Sequence, residues 1–549
     1  MPDDRSPNKA FSPAALAALA IVFALAAGTT GLRWGLPYIW HPDEKVELAA
    51  NMIDYKSFDP DYFINPHLHL YAVRGLVWIA ERMFPGQMAF GMQSIVPMTH
   101  PDNPNRAVQM AGNLLARGFS VFCAVAAVWW LWRSLRRPLG EWPAALAAAA
   151  LGLSLGLMNI AHFATPEACL LLLVTLALGA FITLGQTGRL RDAIAAGVWF
   201  GFSCSTKYTA VLLVLPLTWA LFPLARRDAP GRAFRLWAIT GAVGVVAFFA
   251  ATPYALLHWR SFVTDGLIFT WRTGAPANSL VGVQRTWAVY AQHLAGALGW
   301  PLFVFFVGSC LWWASRPAAT PESQQTLSVH ALWIAGFWGF LGLSPHQAMR
   351  FIIPLVPSVA VFAGWGAGRL LERSEGLRSR RIVRAGLSAM FLYTAVYTAA
   401  GVYWFVNDTR YAAGDWLKWH MRPESAVTYF AIESYLPYWD RPWYSLRFRP
   451  EVWPSRARDA DFDAWRRTTF QEMDDVIVDT NFFYHRFLLD PERWPGRDVM
   501  YRDLLADKDP AGYRLVARFE QHDPWWLHAN LELVAPTIVI FAKPGQIRK

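Results

Sequence analysis

Residues 165–185 read TPEACLLLLVTLALGAFITLG, a run in which Glu167 is the single charge. A helix needs about 20 apolar residues to cross the hydrocarbon core of a bilayer. Inside that core each backbone amide must be satisfied within its own segment, which leaves the helix as the spanning conformation for such a run. Residues 165–185 therefore read as a transmembrane helix, and comparable runs lie on both sides of them. They fall near 14–33, 114–132, 142–161, 191–206, 209–225, 235–257, 293–314, 328–344, 350–369 and 384–405, with 191–206 the shortest. The sequence predicts an all-α polytopic membrane protein of about eleven spans, followed by a smaller C-terminal α/β domain.

Composition agrees. Of 549 residues, 54% are apolar and 16% charged, against about 25% charged in a typical soluble domain. The 29 tryptophans suit a chain with many membrane–water interfaces, where the amphipathic indole gathers. A net charge of +10 would make nucleic acid a candidate partner for a soluble protein. Here much of the excess sits in short loops between apolar runs. Arg133, Arg136 and Arg137 occupy one loop, Arg189 and Arg191 the next, and Arg226, Arg227, Arg232 and Arg235 a third. Arg316 lies in the fourth, and six arginines fill 368–384. Every second loop is basic, which places those loops and the N-terminus in the cytoplasm and removes nucleic acid from the expected partners. An odd number of spans then puts the C-terminal domain outside. The four cysteines, Cys123, Cys169, Cys204 and Cys310, lie in or beside apolar stretches with no CxxC spacing, so no zinc or redox motif is indicated. The first run follows Arg5 and Lys9 like a signal peptide, but it stays apolar to about Pro37, too far for a cleavable core.

The organisation predicted is a cytoplasmic N-terminus (1–13), a membrane region (14–405) and an extracytoplasmic α/β domain (406–549). The first outer loop is long, 34–113, and long loops in compact proteins are usually functional. Within it, Leu68–Phe84 is apolar yet carries Arg74, Glu81 and Arg82, which reads as an interfacial amphipathic helix. Beyond Asn407 charge rises. The short runs Ala426–Ala431, Asp475–Asp479 and Thr537–Phe541 read as strands, with a helix at Arg410–His420. No phosphate-binding glycine loop or nucleophile motif is present there.

Ionisable residues near a membrane core are costly and usually have work to do. On the predicted outer side stand Asp43 and Glu44, then His67 and His69 in Asn-Pro-His-Leu-His, then His162 and Glu167. Lys207 and Tyr208, Tyr254 and His258, and His346 and Arg350 complete the set. Taken singly, each has a plainer reading. The acids can begin a helix, Lys207 and Arg350 can snorkel to the interface, and the histidines can be structural. Taken together they form a composite outer-face site. Its acids suit a general base and its cations suit a phosphate ligand, as attack on a carbon bearing a lipid-phosphate leaving group would require.

Several motifs in order resemble the GT-C membrane glycosyltransferases, in the bacterial branch of protein O-mannosyltransferases and aminoarabinose transferases. Asp43-Glu44 is similar to that family's acidic pair after the first span, and Asn65-Pro66-His67-Leu68 to its Pro-Pro-Leu run. Thr165-Pro166-Glu167 is similar to its second outer acid, and Gly201 to Tyr208 to its Gly-rich helix ending in Thr-Lys-Tyr. Thr252-Pro253-Tyr254, Arg350-Phe351-Ile352-Ile353-Pro354 and Asp408-Thr409-Arg410 complete the series. The chain departs from the pattern in Glu167 for Asp, Phe351 for Tyr, and the lost Pro-Pro pair. The resemblance implies an inner-membrane, multi-pass enzyme. It would move a sugar from a polyprenyl-phosphate donor to a lipid, polysaccharide or protein acceptor on the outer, periplasmic face, with inversion. It further implies Asp43 as base, Glu44 positioning it, Glu167 orienting the acceptor, and Lys207 and Arg350 binding the donor phosphate. His67, His69, His258 and His346 would assist or bind a divalent metal, though no ligand spacing is diagnostic and no cofactor is required. The alternative is a polytopic transporter or flippase for a glycolipid, which should place its charges at the membrane midplane; these lie at the outer end.

Overall fold

The computed structural model describes residues 12–36, 38–83, 106–227, 230–268, 286–343, 347–422, 425–437, 446–452, 459–473, 475–527, 531 and 533–548. A helix forms in every one of the predicted apolar runs. Among the described residues, six helices are long and apolar enough to cross a membrane, or eight if two bent pairs each count as one span. The remaining helices fall short for physical reasons. Pro13–Thr29 has 17 residues and Leu190–Cys204 has 15, while Pro321–Gly342 opens on the polar run Glu322 to Gln325. The expected eleven is thus a count of apolar helices, of which length and composition alone qualify six to eight as spans.

The bends have local causes. Between Glu141–Gly152 and Leu155–Ala161 the axis turns by 55°. Ser154 there is extended and its hydroxyl accepts from the Leu157 amide at 3.4 Å, capping the second piece. Between Thr286–Leu298 and Trp300–Ser315 the turn is 115°, made at Gly299 with φ of +78°, a conformation that costs glycine nothing.

Helix contacts are close because small residues line them. Residues 143–152, mostly alanine, are all buried and pack on Val356–Arg373. A Cβ added at Gly364 there would strike the Pro143 carbonyl. Cross-links also sort the loops by side. Ser323 Oγ donates to the Pro138 carbonyl at 2.6 Å, and Arg232 Nη2 to the Gly188 carbonyl at 3.3 Å, joining basic loops to one another. At the other end the Leu68 amide donates to the Ser205 carbonyl at 3.1 Å.

Among the described residues, the long first loop folds into two helices, Val46–Asp54 and Leu68–Met83. Val46, Ala49, Leu70, Val73 and Val77 form their common core, with Ala116 and Ala164 behind it. The second helix is the one expected at 68–84, with Phe84 outside the described residues. It buries one face on Arg106–Leu139 and leaves Trp78, Ile79 and Met83 exposed.

After residue 406 the chain builds a sheet of β1 (Val427–Tyr429), β2 (Leu446–Phe448), β3 (Val476–Thr480), β4 (Arg514–Phe519) and β5 (Ile538–Ala542). The order is β2-β1-β3-β5-β4. β1 is parallel to β2 and β3, and β5 is antiparallel to β3 and β4. The three runs read as strands are its three inner strands. β2 and β4, with Arg447, Arg514 and Arg518, are its edges, and their charges hid them from a reading that looked for unbroken apolar runs.

Asp408 fastens this sheet to the membrane region. It caps the helix Thr409–His420 through the Arg410 amide at 3.0 Å. Its Oδ2 also accepts from Trp34 Nε1 at 2.9 Å and from the Ala535 amide at 2.8 Å. Arg410 pairs with both carboxylate oxygens, at 2.9 and 2.8 Å, and lies 4.1 Å over the Trp40 ring.

Candidate active site

Four side chains from four segments meet at the end of the helices opposite the arginine-rich loops. Asp43 lies in the extended stretch before Val46–Asp54. Neither Asp43 nor Glu44 caps that helix, since Lys45 occupies the cap position and no side chain closes it. Glu167 sits in the first turn of Pro166–Thr187, set there by Thr165 and Pro166. Lys207 is extended, at φ −154° and ψ 131°, where Leu190–Cys204 has ended and a 3₁₀ turn, Tyr208–Leu213, begins. Arg350 lies on the 3₁₀ turn Met349–Phe351 that leads into Val356–Arg373.

Two ion pairs result. Arg350 Nη2 is 2.8 Å from Asp43 Oδ2, and Lys207 Nζ is 2.8 Å from Glu167 Oε1. Both cations approach the Phe351 ring, Lys207 Nζ at 4.5 Å and Arg350 Cζ at 5.1 Å from its centre. Both cations turn inward to acids instead of reaching for water. Glu167 is buried, but the Asp43 side chain is 44% exposed, so it is the acid that a substrate can reach. Burial pushes the Asp43 carboxyl up, yet Arg350 and then His41 outweigh it and hold it below the usual carboxylate range. It is ionised at neutral pH.

Glu44 has a different setting. It is wholly enclosed and takes both Arg117 Nε and Nη2 at 2.8 Å, with the Ala164 amide at 2.7 Å. Arg117 Nη1 also donates to the Leu32 and Trp34 carbonyls, at 2.8 and 2.7 Å. The pair fixes the backbone on which Asp43 is carried. Arg117 was missed by a reading that counted arginines in loops; its signal was a charge inside the apolar run 114–132.

The remaining candidates have settings of their own. His67 is buried, its Nε2 3.0 Å from the Tyr62 carbonyl, and its amide donates to Thr252 Oγ1 at 3.4 Å. His69 is buried too. Burial pulls both imidazoles down to about 4. Tyr208 donates to the Phe63 carbonyl at 2.8 Å. Tyr254 stacks edge-on with His258, ring centroids 5.7 Å apart, and His258 Nδ1 lies 3.2 Å from Asp59 Oδ2. His162 faces the Met158 and Thr30 carbonyls at 2.6 and 2.7 Å and stacks on Phe405, a structural setting. His346 lies outside the described residues. Among the described residues no three His, Cys, Asp or Glu side chains gather as a metal site. A small, open cleft of about 20 Å³ lies beside Asp43, lined by Tyr62, Asn65, His69 and Leu70 among others.

Residues 107–259 match the family of dolichyl-phosphate-mannose-protein mannosyltransferases. The structure superposes on ArnT from Cupriavidus metallidurans bound to undecaprenyl phosphate, with a TM-score of 0.50 and 15% identity over 96% of this chain and 97% of that one. It also superposes on the oligosaccharyltransferase of Archaeoglobus fulgidus tethered to an acceptor peptide, with a TM-score of 0.52 and 12% identity over 90% of this chain and 72% of that one. No curated protein sequence matches the chain. The fold of this chain is thus similar to that of these two enzymes, the GT-C-like fold that the motif resemblance implies.

Proposed function

We propose that this protein is an inner-membrane glycosyltransferase that moves a sugar from a polyprenyl-phosphate donor to an acceptor at the outer face, with inversion. The observation that carries the reading is a half-exposed ionised acid, Asp43, paired with Arg350, with a second cation, Lys207, approaching the same Phe351 ring as Arg350. A phosphate needs such cations and an acceptor hydroxyl needs such a base. The matched fold supplies the setting, and the arginine-rich loops at the opposite end of the helices support an outer location for this end.

In the proposed reaction Asp43 takes the proton of the acceptor hydroxyl. The acceptor oxygen attacks the anomeric carbon, and the carbon–oxygen bond to phosphate breaks on the opposite face. The electron pair leaves with the phosphate, whose charge Lys207 and Arg350 stabilise. Glu44, through Arg117, positions the backbone of Asp43. Glu167 touches Lys207, so its geometry favours holding that cation over orienting the acceptor. Tyr208, Tyr254, His67, His258 and His346 are assigned to substrate binding from the motifs. Sugar, acceptor and chain length are left open by these residues.

The test is transfer from radiolabelled polyprenyl-phosphate sugars in membranes, comparing wild type with Asp43→Asn at matched expression. Wild type should label an acceptor and the variant should lose activity by a factor of about 10² or more. A variant as active as wild type removes Asp43 as base; no transfer by either protein over a broad donor panel rejects the function.

A further inference from the structure

We propose that the cleft beside Asp43 is an acceptor subsite for a carbohydrate hydroxyl, and that His69 is the side chain that positions it. The inference rests on the glycosyltransferase reading above. Three observations lead to it. First, Asp43 lines the cleft while the cations Lys207 and Arg350 do not. The base therefore touches Arg350 and also borders an opening that neither cation lines, as a reaction joining two substrates needs. Second, His69 is only 4% exposed, lines the cleft, and its Nε2 has no hydrogen-bond partner. A buried polar atom without a partner costs free energy, and it persists most readily where a ligand completes it. Third, the polar wall is uncharged apart from the base and Lys45. Tyr62 and Asn65 face the cleft with His69 and are themselves linked, Asn65 Nδ2 donating to the Tyr62 hydroxyl at 3.4 Å. Lys45 is turned to Glu47 at 3.6 Å. Leu70 and Val73 supply an apolar floor.

That combination fits a sugar ring, which has an apolar face and hydroxyls that both donate and accept. Tyr, Asn and a neutral His do the same. Burial holds the His69 imidazole near 4, so it stays neutral where the base is ionised. An ammonium acceptor would call for further acids, and the cleft offers Asp43 alone.

The experiment uses the full-length protein in lipid nanodiscs with a labelled polyprenyl-phosphate sugar that the wild type accepts. The acceptor probes are octyl glucoside, octylamine and a blocked serine peptide, with release of free sugar to water measured alongside. Wild type should glycosylate the glucoside in preference to the other two. His69→Ala should lower that transfer roughly tenfold or more, the loss of one hydrogen bond, through a raised KM for the glucoside. Its KM for the donor should not change. His69→Gln, which restores a polar atom, should recover part of the transfer. Equal transfer by wild type and His69→Ala overturns the proposal. So does a parallel loss of transfer and hydrolysis at unchanged KM, or a preference for amine or peptide. A wild type that neither transfers nor hydrolyses any donor overturns the glycosyltransferase reading itself, and this proposal with it.

Discussion

Arg350 touches Asp43 at 2.8 Å, and this contact decides whether the proposed base is ionised. Burial alone would raise the Asp43 carboxyl; Arg350 is the largest influence in the opposite direction. Arg350→Gln therefore lets the carboxyl rise, and since the base works only when ionised, the acidic limb of activity against pH should move to higher pH. The same change removes one phosphate ligand, so KM for the donor should rise. A pH–rate profile from pH 4 to 8 reads both, and an unmoved limb would separate Arg350 from the base. Glu44 behaves oppositely to its neighbour. Glu44→Gln strands the wholly buried Arg117 charge, a loss of about 3–5 kcal/mol, and should lower the thermal unfolding midpoint in detergent. Asp43→Asn, at a half-exposed site, should leave that midpoint in place. Equal midpoints for the two variants would mean that Glu44–Arg117 does not brace the loop. The acids and cations were legible in the sequence because charge is rare beside apolar runs. Their partners were not: Glu44 and Arg117 lie 73 positions apart, and no local spacing links them.

Helix ends and helix contacts place these side chains. Lys207 reaches the site because Leu190–Cys204 is short and stops before it. That helix lies against Pro230–Ala251 through Gly197 and Gly201. A Cβ at Gly201 would overlap the Gly244 carbonyl and come within 2.7 Å of Ala247 Cβ. Gly201→Val should force the two helices apart at about 1–3 kcal/mol, shift Lys207, lower the unfolding midpoint and raise KM for the donor. Gly241→Ala, on the partner helix with nothing within 4 Å of the added Cβ, is the control and should change neither. If both variants behave alike, close packing at Gly201 does not set the position of Lys207. Hydropathy located every one of these helices, since a lipid-compatible helix must be apolar along its length. It was blind to the bends, because Ser154 and Gly299 sit inside apolar runs and act through a cap and a backbone angle. The edge strands β2 and β4 were illegible for a related reason, their arginines breaking the apolar pattern.

Across the whole molecule, Asp408 and Arg410 join the stretch after the first helix, through Trp34 and Trp40, to the segment before the last strand, through Leu533 and Ala535. The sequence showed that a small α/β unit follows the helices. It did not show that Trp34 and Ala535, from opposite ends of the chain, share one carboxylate. The sheet also carries a buried acid outside the proposed site. Asp479, on β3, is fully enclosed, and burial pushes its carboxyl up to about 7, even though the Tyr501 hydroxyl donates to it at 2.5 Å and the Thr480 amide at 2.7 Å. In the unfolded chain the same group titrates near 3.8. The fold therefore favours the protonated form. Its contribution to stability is full below about pH 4 and is lost as pH rises through about 7, by a few kcal/mol at most. Asp479→Asn keeps an acceptor for Tyr501 and cannot ionise, so this contribution should no longer vary with pH. Chemical unfolding of the detergent-solubilised protein between pH 4 and 8, followed by hydrogen exchange across 476–505 with the intrinsic pH dependence divided out, distinguishes the cases. Wild type should lose protection there as pH rises while the variant holds it, so that the variant is the more stable of the two at pH 8. Parallel curves would show that Asp479 is ionised throughout or already neutral in both states, and the sheet would then owe none of its pH response to this carboxyl.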